Sequence, residues 1–242
     1  MVDIPRNEKV KIIRKTFKQF NKENGFYFLK PTLIMKDHYD IAYYLIIGPH
    51  LNRTVCDIVV QPLYIPAEQF ILSISERLQF ITTKANLKHF PWGNCNGNPQ
   101  KFEDEINEIF EIFSNEGMIW FYNFSSPQEI INTSINFNEE KHKVCWNSTD
   151  RLETRAISYL YIGDIEKGIY TFKHALPPYQ KIHPNTVKRY EDWIKIAQNE
   201  SERLPQIFDD IILTTRKNLK LKDEKCELLN KRKLEETNKI IL

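Results

Sequence analysis

The sequence is poor in glycine and cysteine and lacks any long apolar run. Its 242 residues include 7 glycines, too few for a collagen-like chain. Nowhere does an apolar run reach the roughly 18 residues that a membrane span requires. The N-terminal segment MVDIPRNEKVKIIRK is charged throughout, unlike a secretory signal peptide. These absences predict a cytoplasmic protein that does not enter a membrane.

Motifs for metal, disulfide or nucleotide chemistry are also missing. The four cysteines form no C-x-x-C pair, so neither a zinc ribbon nor a disulfide scaffold is indicated: Cys56, Cys95, Cys145 and Cys226. His38, Asp40 and His50 lack the H-x-x-x-H spacing of a strong metal signal. No G-x-x-x-x-G-K-[ST] or G-x-G-x-x-G loop is present to cradle a phosphate. We therefore predict no metal and no cofactor.

What the chain does contain is a helix followed by strand patterns. Apolar residues at spacings of three and four predict a helix over residues 7–22. From Phe26 to about Phe80, short runs of Ile, Val, Tyr and Phe alternate with turn residues, which is typical of antiparallel strands. One predicted strand runs through Phe70, Leu72 and Ile74, where apolar residues alternate with more polar ones.

The C-terminal part has helical periodicity. From Thr149 onward the apolar spacing is helical, and one long helix is predicted from near residue 200 into the 230s. The fold class is therefore α+β, an antiparallel β-sheet with helices followed by an all-helical C-terminal region. The predicted domains are residues 1–134 and 149–242.

Charge is distributed unevenly along the chain, although the formal net charge is only +2. Residues 101–140 contain nine acidic residues and one lysine. Phe102, Ile106 and Ile109 predict the buried stripe of a helix that starts at Asn98, with the acids opposite. Such a face is either a solvated surface or an acidic patch that attracts a basic protein.

The most aromatic stretch, GMIWFYNF at residues 117–124, follows this acidic helix. It is either packed in the interior or exposed as an anchor for a partner. The combination predicts a partner-binding surface formed by acids and aromatics: Glu103, Asp104, Glu105, Glu108, Glu111, Trp120 and Tyr122.

An alternative interpretation is catalytic. Cys95 lies in the loop HFPWGNCNGNP, six residues after His89. A nucleophilic cysteine needs a lowered pKa and a base within hydrogen-bond reach. This pair predicts a cysteine-dependent hydrolase or transferase. The alternative is that Cys95 is an unreactive surface thiol in a glycine-rich loop.

Nucleic-acid binding is less favoured. Basic residues cluster at 6–22 and 216–233, but acids interrupt both segments. A third hypothesis is a helical adaptor that assembles with itself. The predicted oligomeric state is a monomer or a dimer.

Residues 149–178 resemble one tetratricopeptide-type helical hairpin. The resemblance rests on small, aromatic and turn residues at the family positions: Leu152, Ala156, Tyr159, Gly163, Asp164, Phe172, Ala175 and Leu176. Arg155 stands where the family has an apolar residue, Gly168 replaces the usual alanine, and no second clear copy is found. The resemblance implies helix packing and, at most, protein binding.

The N-terminal part resembles a second family. A helix, GFYFLKPTLIM, a tyrosine-rich strand, CDIVVQPLYIP and ISERL follow one another over residues 5–125. This order is similar to a bacterial domain of unknown function found among the immunity proteins of toxin systems. The resemblance implies a non-catalytic protein that neutralises a toxin by occlusion, with a basic toxin domain as partner.

Overall fold

The computed structural model describes residues 3–50, 53–72, 74–82, 92–93, 95, 97–137, 146–179, 184–226 and 228–229. It confirms the predicted α+β fold, with a five-stranded antiparallel sheet near the N-terminus and helices after it. Among these residues, no helix combines the length and the apolar character needed to cross a membrane.

The sheet is a simple meander in which each strand lies beside its neighbour in sequence. Its order is β1-β2-β3-β4-β5, with bounds Tyr27–Lys30, Leu33–Asp37, Ile41–Pro49, Thr54–Pro62 and Ile74–Arg77. Short connections favour this antiparallel arrangement because a tight turn reverses the chain. In the β2–β3 register, Met35 lies opposite Tyr44.

Contact density divides the chain into two compact units, neither continuous in sequence. The first comprises Met1–Gln61, Ile74–Tyr122 and Leu221–Leu242, and the second comprises Pro62–Ser73 and Asn123–Lys220. The connection between β4 and β5 thus belongs to the second unit. The predicted domains, residues 1–134 and 149–242, were each one continuous segment.

In the first unit, helices accompany the sheet. Helix α1 spans Arg6–Asn24 and ends at Gly25, whose φ of 73° closes the helix in a left-handed turn. A four-residue helix, α2, follows β5 at Leu78–Ile81. Helix α3 spans Pro99–Ile112, a π-helical turn spans Phe113–Gly117, and α4 spans Met118–Tyr122.

Aromatic rings form much of the core of this unit. The Phe17 ring lies 6.0 Å from that of Phe113, and Phe20 lies 5.6 Å from Phe26. Tyr43 on β3 contacts Phe121 at 5.1 Å. Tilted and edge-on packing of such rings adds to the gain from burial, so α1, the sheet and the α3–α4 segment share one core.

The second unit is helical. Its helices are α5 (Pro127–Ile135), α6 (Ser148–Tyr161), α7 (Ile165–Tyr179), α8 (Pro184–Asn199) and α9 (Leu204–Leu219). Helices α6 and α7 form a hairpin whose turn contains Gly163 at a φ of 86°. A Cβ at Gly168 would lie 2.4 Å from Leu160 Cδ2, so glycine permits the close approach of the two helices.

The predicted strand through Phe70, Leu72 and Ile74 is mostly wrong. Strand β5 begins only at Ile74, and residues 63–72 are irregular. Within this segment the Tyr64 hydroxyl is hydrogen-bonded to that of Ser158 at 2.8 Å. Alternation alone did not make a strand because the segment packs on helices of the second unit through Tyr64, whose ring stacks on that of Tyr161.

The predicted long C-terminal helix is also wrong. Helix α9 stops at Leu219, and Lys220 takes a left-handed conformation with a φ of 56°. Its N–H donates to the carbonyls of Arg216 and Lys217, which closes the helix. Cys226 and Leu229, which continue the apolar spacing, are buried beyond this cap.

Candidate partner-binding surface

The predicted acidic helix forms, and its start is fixed by a side-chain cap. The Asn98 side chain accepts hydrogen bonds from Gln100 N at 2.9 Å and from Lys101 N at 3.3 Å. Pro99 occupies the first turn, where no amide hydrogen is needed. On the inner face, Phe102 and Ile106 are buried.

One exposed stripe runs along α3 and α4 from Asp104 to Tyr122. It comprises six exposed residues at spacings of three or four: Asp104, Asn107, Glu111, Asn115, Ile119 and Tyr122. The side chains of Ile119 and Tyr122 are 65% and 69% exposed. The stripe is therefore acidic and polar at its N-terminal end and apolar at its C-terminal end.

The π-helical turn keeps the two ends in line. A turn of this kind holds an additional residue, so Ile119, eight positions after Glu111, reaches the same stripe. Gly117 permits the turn to pack closely, because a Cβ there would lie 3.0 Å from Phe113 Cδ2 and 3.5 Å from Leu78 Cδ1. The turn thus places an apolar pair beside the acids.

Groups outside α3 contact Glu103, Glu105 and Glu108. Glu103 forms an ion pair with Lys15 of α1 at 2.8 Å. Glu105 Oε1 accepts from Gly93 N, and Glu108 Oε2 accepts from the indole of Trp92, both at 2.8 Å. These carboxylates lie beside the stripe and hold α1 and the preceding loop against α3.

The structure separates the two predicted aromatics. Tyr122 lies on the stripe, whereas Trp120 is 8% exposed and contacts Phe121 with ring centroids 5.6 Å apart. Ile119 was missed by sequence reasoning. Its position three residues before Tyr122 on a helix was the signal that could have identified it.

Cys95 lies in the loop that Glu105 and Glu108 hold, and His89 lies outside the described residues. The thiol is 7% exposed. Burial, and to a smaller extent the Glu105 carboxylate, raises the pKa of Cys95 to about 12. An activated nucleophile needs the opposite shift, so this environment keeps the thiol protonated.

The same loop contributes to the structure of the sheet. Thr54 N, at the start of β4, donates to the Trp92 carbonyl at 3.0 Å. Gly93 has a φ of 121°, and a Cβ there would lie 1.9 Å from Arg53 Cα. Only glycine fits this approach, so the glycine in this loop serves the contact between β4 and α3.

Metal ligands are not gathered in the described part of the chain, where no group of three His, Cys, Asp or Glu side chains is placed to hold an ion. His38 contacts the Tyr43 ring edge-on at 5.7 Å.

Comparisons with known proteins found no matching family model, no matching curated protein and no matching solved structure.

Proposed function

We propose that this chain is a non-catalytic protein-binding protein that occludes a basic protein partner with the exposed stripe of α3 and α4. The observation that carries the proposal is the alignment of Asp104 and Glu111 with Ile119 and Tyr122 on one helical face. At about 1.5 Å per residue, the stripe from Asp104 to Tyr122 is about 27 Å long, enough to contact a small domain.

The two ends of the stripe have different roles in this proposal. Tyrosine is enriched among the residues that contribute most of the binding energy of an interface, and Ile119 adds apolar area beside Tyr122. Asp104 and Glu111 attract positive charge, which accelerates association and favours one orientation of the partner. The aliphatic and aromatic end anchors the complex, and the acidic end selects a basic partner.

Within this class, we propose an immunity-type role in which the partner is a basic toxin domain. The support is the resemblance of residues 5–125 to a bacterial domain found among toxin-immunity proteins. The proposal includes a cytoplasmic location. Inhibition by occlusion requires no reactive group on the inhibitor.

A cysteine-dependent reaction has less support. The Cys95 thiol is buried and its pKa is raised to about 12. A Cys95→Ala variant separates the two functions, because it abolishes turnover in a cysteine enzyme and leaves the affinity of a binding protein unchanged.

The first experiment identifies the partner. The tagged full-length chain is purified from its own host at low and at higher salt, and proteins that co-elute in stoichiometric amount are identified by mass spectrometry. We expect one basic protein whose recovery falls as salt rises, because salt screens exposed charges. Sedimentation of the chain alone measures whether it is a monomer or a dimer, and self-association in place of a partner would favour the helical adaptor.

The second experiment tests the surface. With the purified partner, Tyr122→Ala and Ile119→Ala are each expected to weaken binding by about tenfold or more, as truncation of an anchor residue does. Asp104→Lys with Glu111→Lys should mainly lower the association rate. Leu213→Ala is the matched control, since Leu213 is 47% exposed on α9. Equal affinity of all variants would overturn the assignment of the stripe.

A further inference from the structure

A cavity of about 220 Å³ lies in the second unit, separate from the stripe. The segment after β4, helix α6 and helix α8 all contribute to its lining. Its apolar walls are Pro62, Ile65, Pro66, Ile71, Ile157 and Trp193.

The irregular segment that forms one wall is fixed by specific contacts. The ring of Tyr64 stacks on that of Tyr161 with centroids 4.3 Å apart and planes 7° from parallel. Near the middle of the segment, Asn218 Nδ2 donates to the Ala67 carbonyl at 3.2 Å. The cavity is therefore formed before any ligand binds, which lowers the entropy cost of binding.

Polar groups at the cavity form an ordered arrangement. Arg189 donates from Nε and Nη2 to the two oxygens of Glu153, at 2.7 and 2.6 Å. This two-point ion pair fixes both side chains. Thr154, which is 4% exposed, and the Asp150 carboxylate also line the cavity. A ligand thus meets an apolar interior with oriented polar groups beside it.

The cavity continues into a shallower depression along α8. This depression, of about 270 Å³, shares Arg189 and Trp193 with the cavity and extends past Asn185, Lys188 and Asp192. Sites for small molecules usually occupy about 300–1,000 Å³ and enclose most of the ligand. Here the cavity opens into a shallow groove that leaves a ligand partly uncovered, which is better matched to one bulky side chain and the extended backbone that carries it.

We infer that the second unit binds an extended peptide segment of another protein, with one leucine, isoleucine or phenylalanine side chain in the cavity. The backbone of the segment lies along α8. Glu153 and Arg189 neutralise each other in their ion pair. Among the remaining charges, Asp150 and Asp192 outnumber Lys188, so a basic residue next to the apolar anchor is favoured. This site is independent of the stripe.

Side-chain analogues test the cavity directly. The full-length chain, with labelled isoleucine methyl groups, is titrated with N-acetyl-leucinamide and with N-acetyl-phenylalaninamide, and N-acetyl-glycinamide is the control. We expect saturable shifts at Ile65, Ile71 and Ile157 with the first two compounds only. Equal shifts with the glycine compound, or shifts spread over all isoleucines, would overturn the inference.

Matched variants then connect the cavity to peptide binding. Random linear 12-residue peptides displayed on phage are selected on the full-length chain, and the enriched peptides are synthesised. Ile65→Trp adds bulk at the cavity and should weaken their binding at least tenfold, whereas Ile162→Trp, at a position 41% exposed in the α6–α7 turn, should not.

Pro66→Ala removes part of the wall without adding bulk, so it separates loss of the site from misfolding, and we expect weakening of about threefold or more. Unchanged affinity in both Ile65→Trp and Pro66→Ala would overturn the inference. So would free amides that bind as tightly as the selected peptides, since the site would then be one for small molecules. Tyr122→Ala should leave peptide binding unchanged, which makes failure here distinguishable from failure of the stripe.

Discussion

The indole Nε1 of Trp92 donates a 2.8 Å hydrogen bond to the Oε2 of Glu108. Trp92 is 1% exposed, so the bond satisfies a donor that water does not reach. The Glu108 carboxylate of α3 therefore stabilises the position of Trp92 in the preceding loop. The acids of α3 thus divide into those that stabilise the fold and those that remain on the exposed stripe.

This bond predicts a stability effect. Glu108→Ala should lower the free energy of unfolding of the first unit by about 1–3 kcal/mol, because a buried donor loses its partner. Glu111→Ala, on the exposed side of the same helix, should change it by about 0.5 kcal/mol or less. Denaturant unfolding measures both values, and equal effects would contradict the assigned role of Glu108.

Because α6 and α7 approach closely at Gly168, we expect alanine at this position to lower the stability of the second unit. Gly168→Ala should destabilise the second unit by about 1–3 kcal/mol through overpacking against Leu160, which is 1% exposed. The better helix propensity of alanine, about 1 kcal/mol, offsets part of this cost.

Adding Leu160→Ala to Gly168→Ala tests the mechanism. The double variant should lose less stability than the sum of the two single variants, because the new Cβ fills space that Leu160 vacates. Thermal unfolding of the four proteins gives the coupling, and strict additivity would show that the two side chains do not compete for this space.

The environment of Cys95 predicts slow thiol chemistry. With a pKa of about 12, about one molecule in ten thousand carries the thiolate at pH 8. Alkylation by iodoacetamide, followed by mass spectrometry, should be at least a hundredfold slower at Cys95 in the native protein than after unfolding.

Glu105→Gln refines this prediction. Removal of the carboxylate lowers the pKa of Cys95 and should accelerate labelling, while burial, the larger cause, still keeps it slow. Rapid labelling of Cys95 in the native protein without the substitution would contradict a buried, protonated thiol. It would support a cysteine-dependent reaction.

Asp57 on β4 predicts a pH effect on stability. Burial raises the pKa of this carboxyl above its usual value of 3.8, and Arg77, at 4.0 Å, opposes the shift only in part. Between the unfolded and the folded pKa, the folded state binds more protons, so stability falls as pH rises through that window. Asp57→Asn should therefore raise the free energy of unfolding at pH 7.

The gain from Asp57→Asn should disappear at pH 3, where the carboxyl is protonated in both states. Urea unfolding of both proteins at pH 3 and pH 7 measures the difference. A loss of stability at pH 7 would mean that the attraction to Arg77 outweighs the cost of burial.

Local sequence determined the helices and strands whose signals are contained in a few residues. Asn98 and Pro99 started α3, Gly25 ended α1, and the spacing of Phe102 and Ile106 set the buried face. These features depend on caps and on the 3.6-residue period of a helix, which neighbouring residues establish by themselves.

Tertiary structure decided which of several similar residues are buried and which are exposed. Glu105 and Glu111 are chemically identical, but only the first has Gly93 beside it. Trp120 and Tyr122 belong to one aromatic run, yet Trp120 is buried and Tyr122 is exposed. Packing partners distant in sequence made these choices, because burial is a property of the assembled core and not of the local chain.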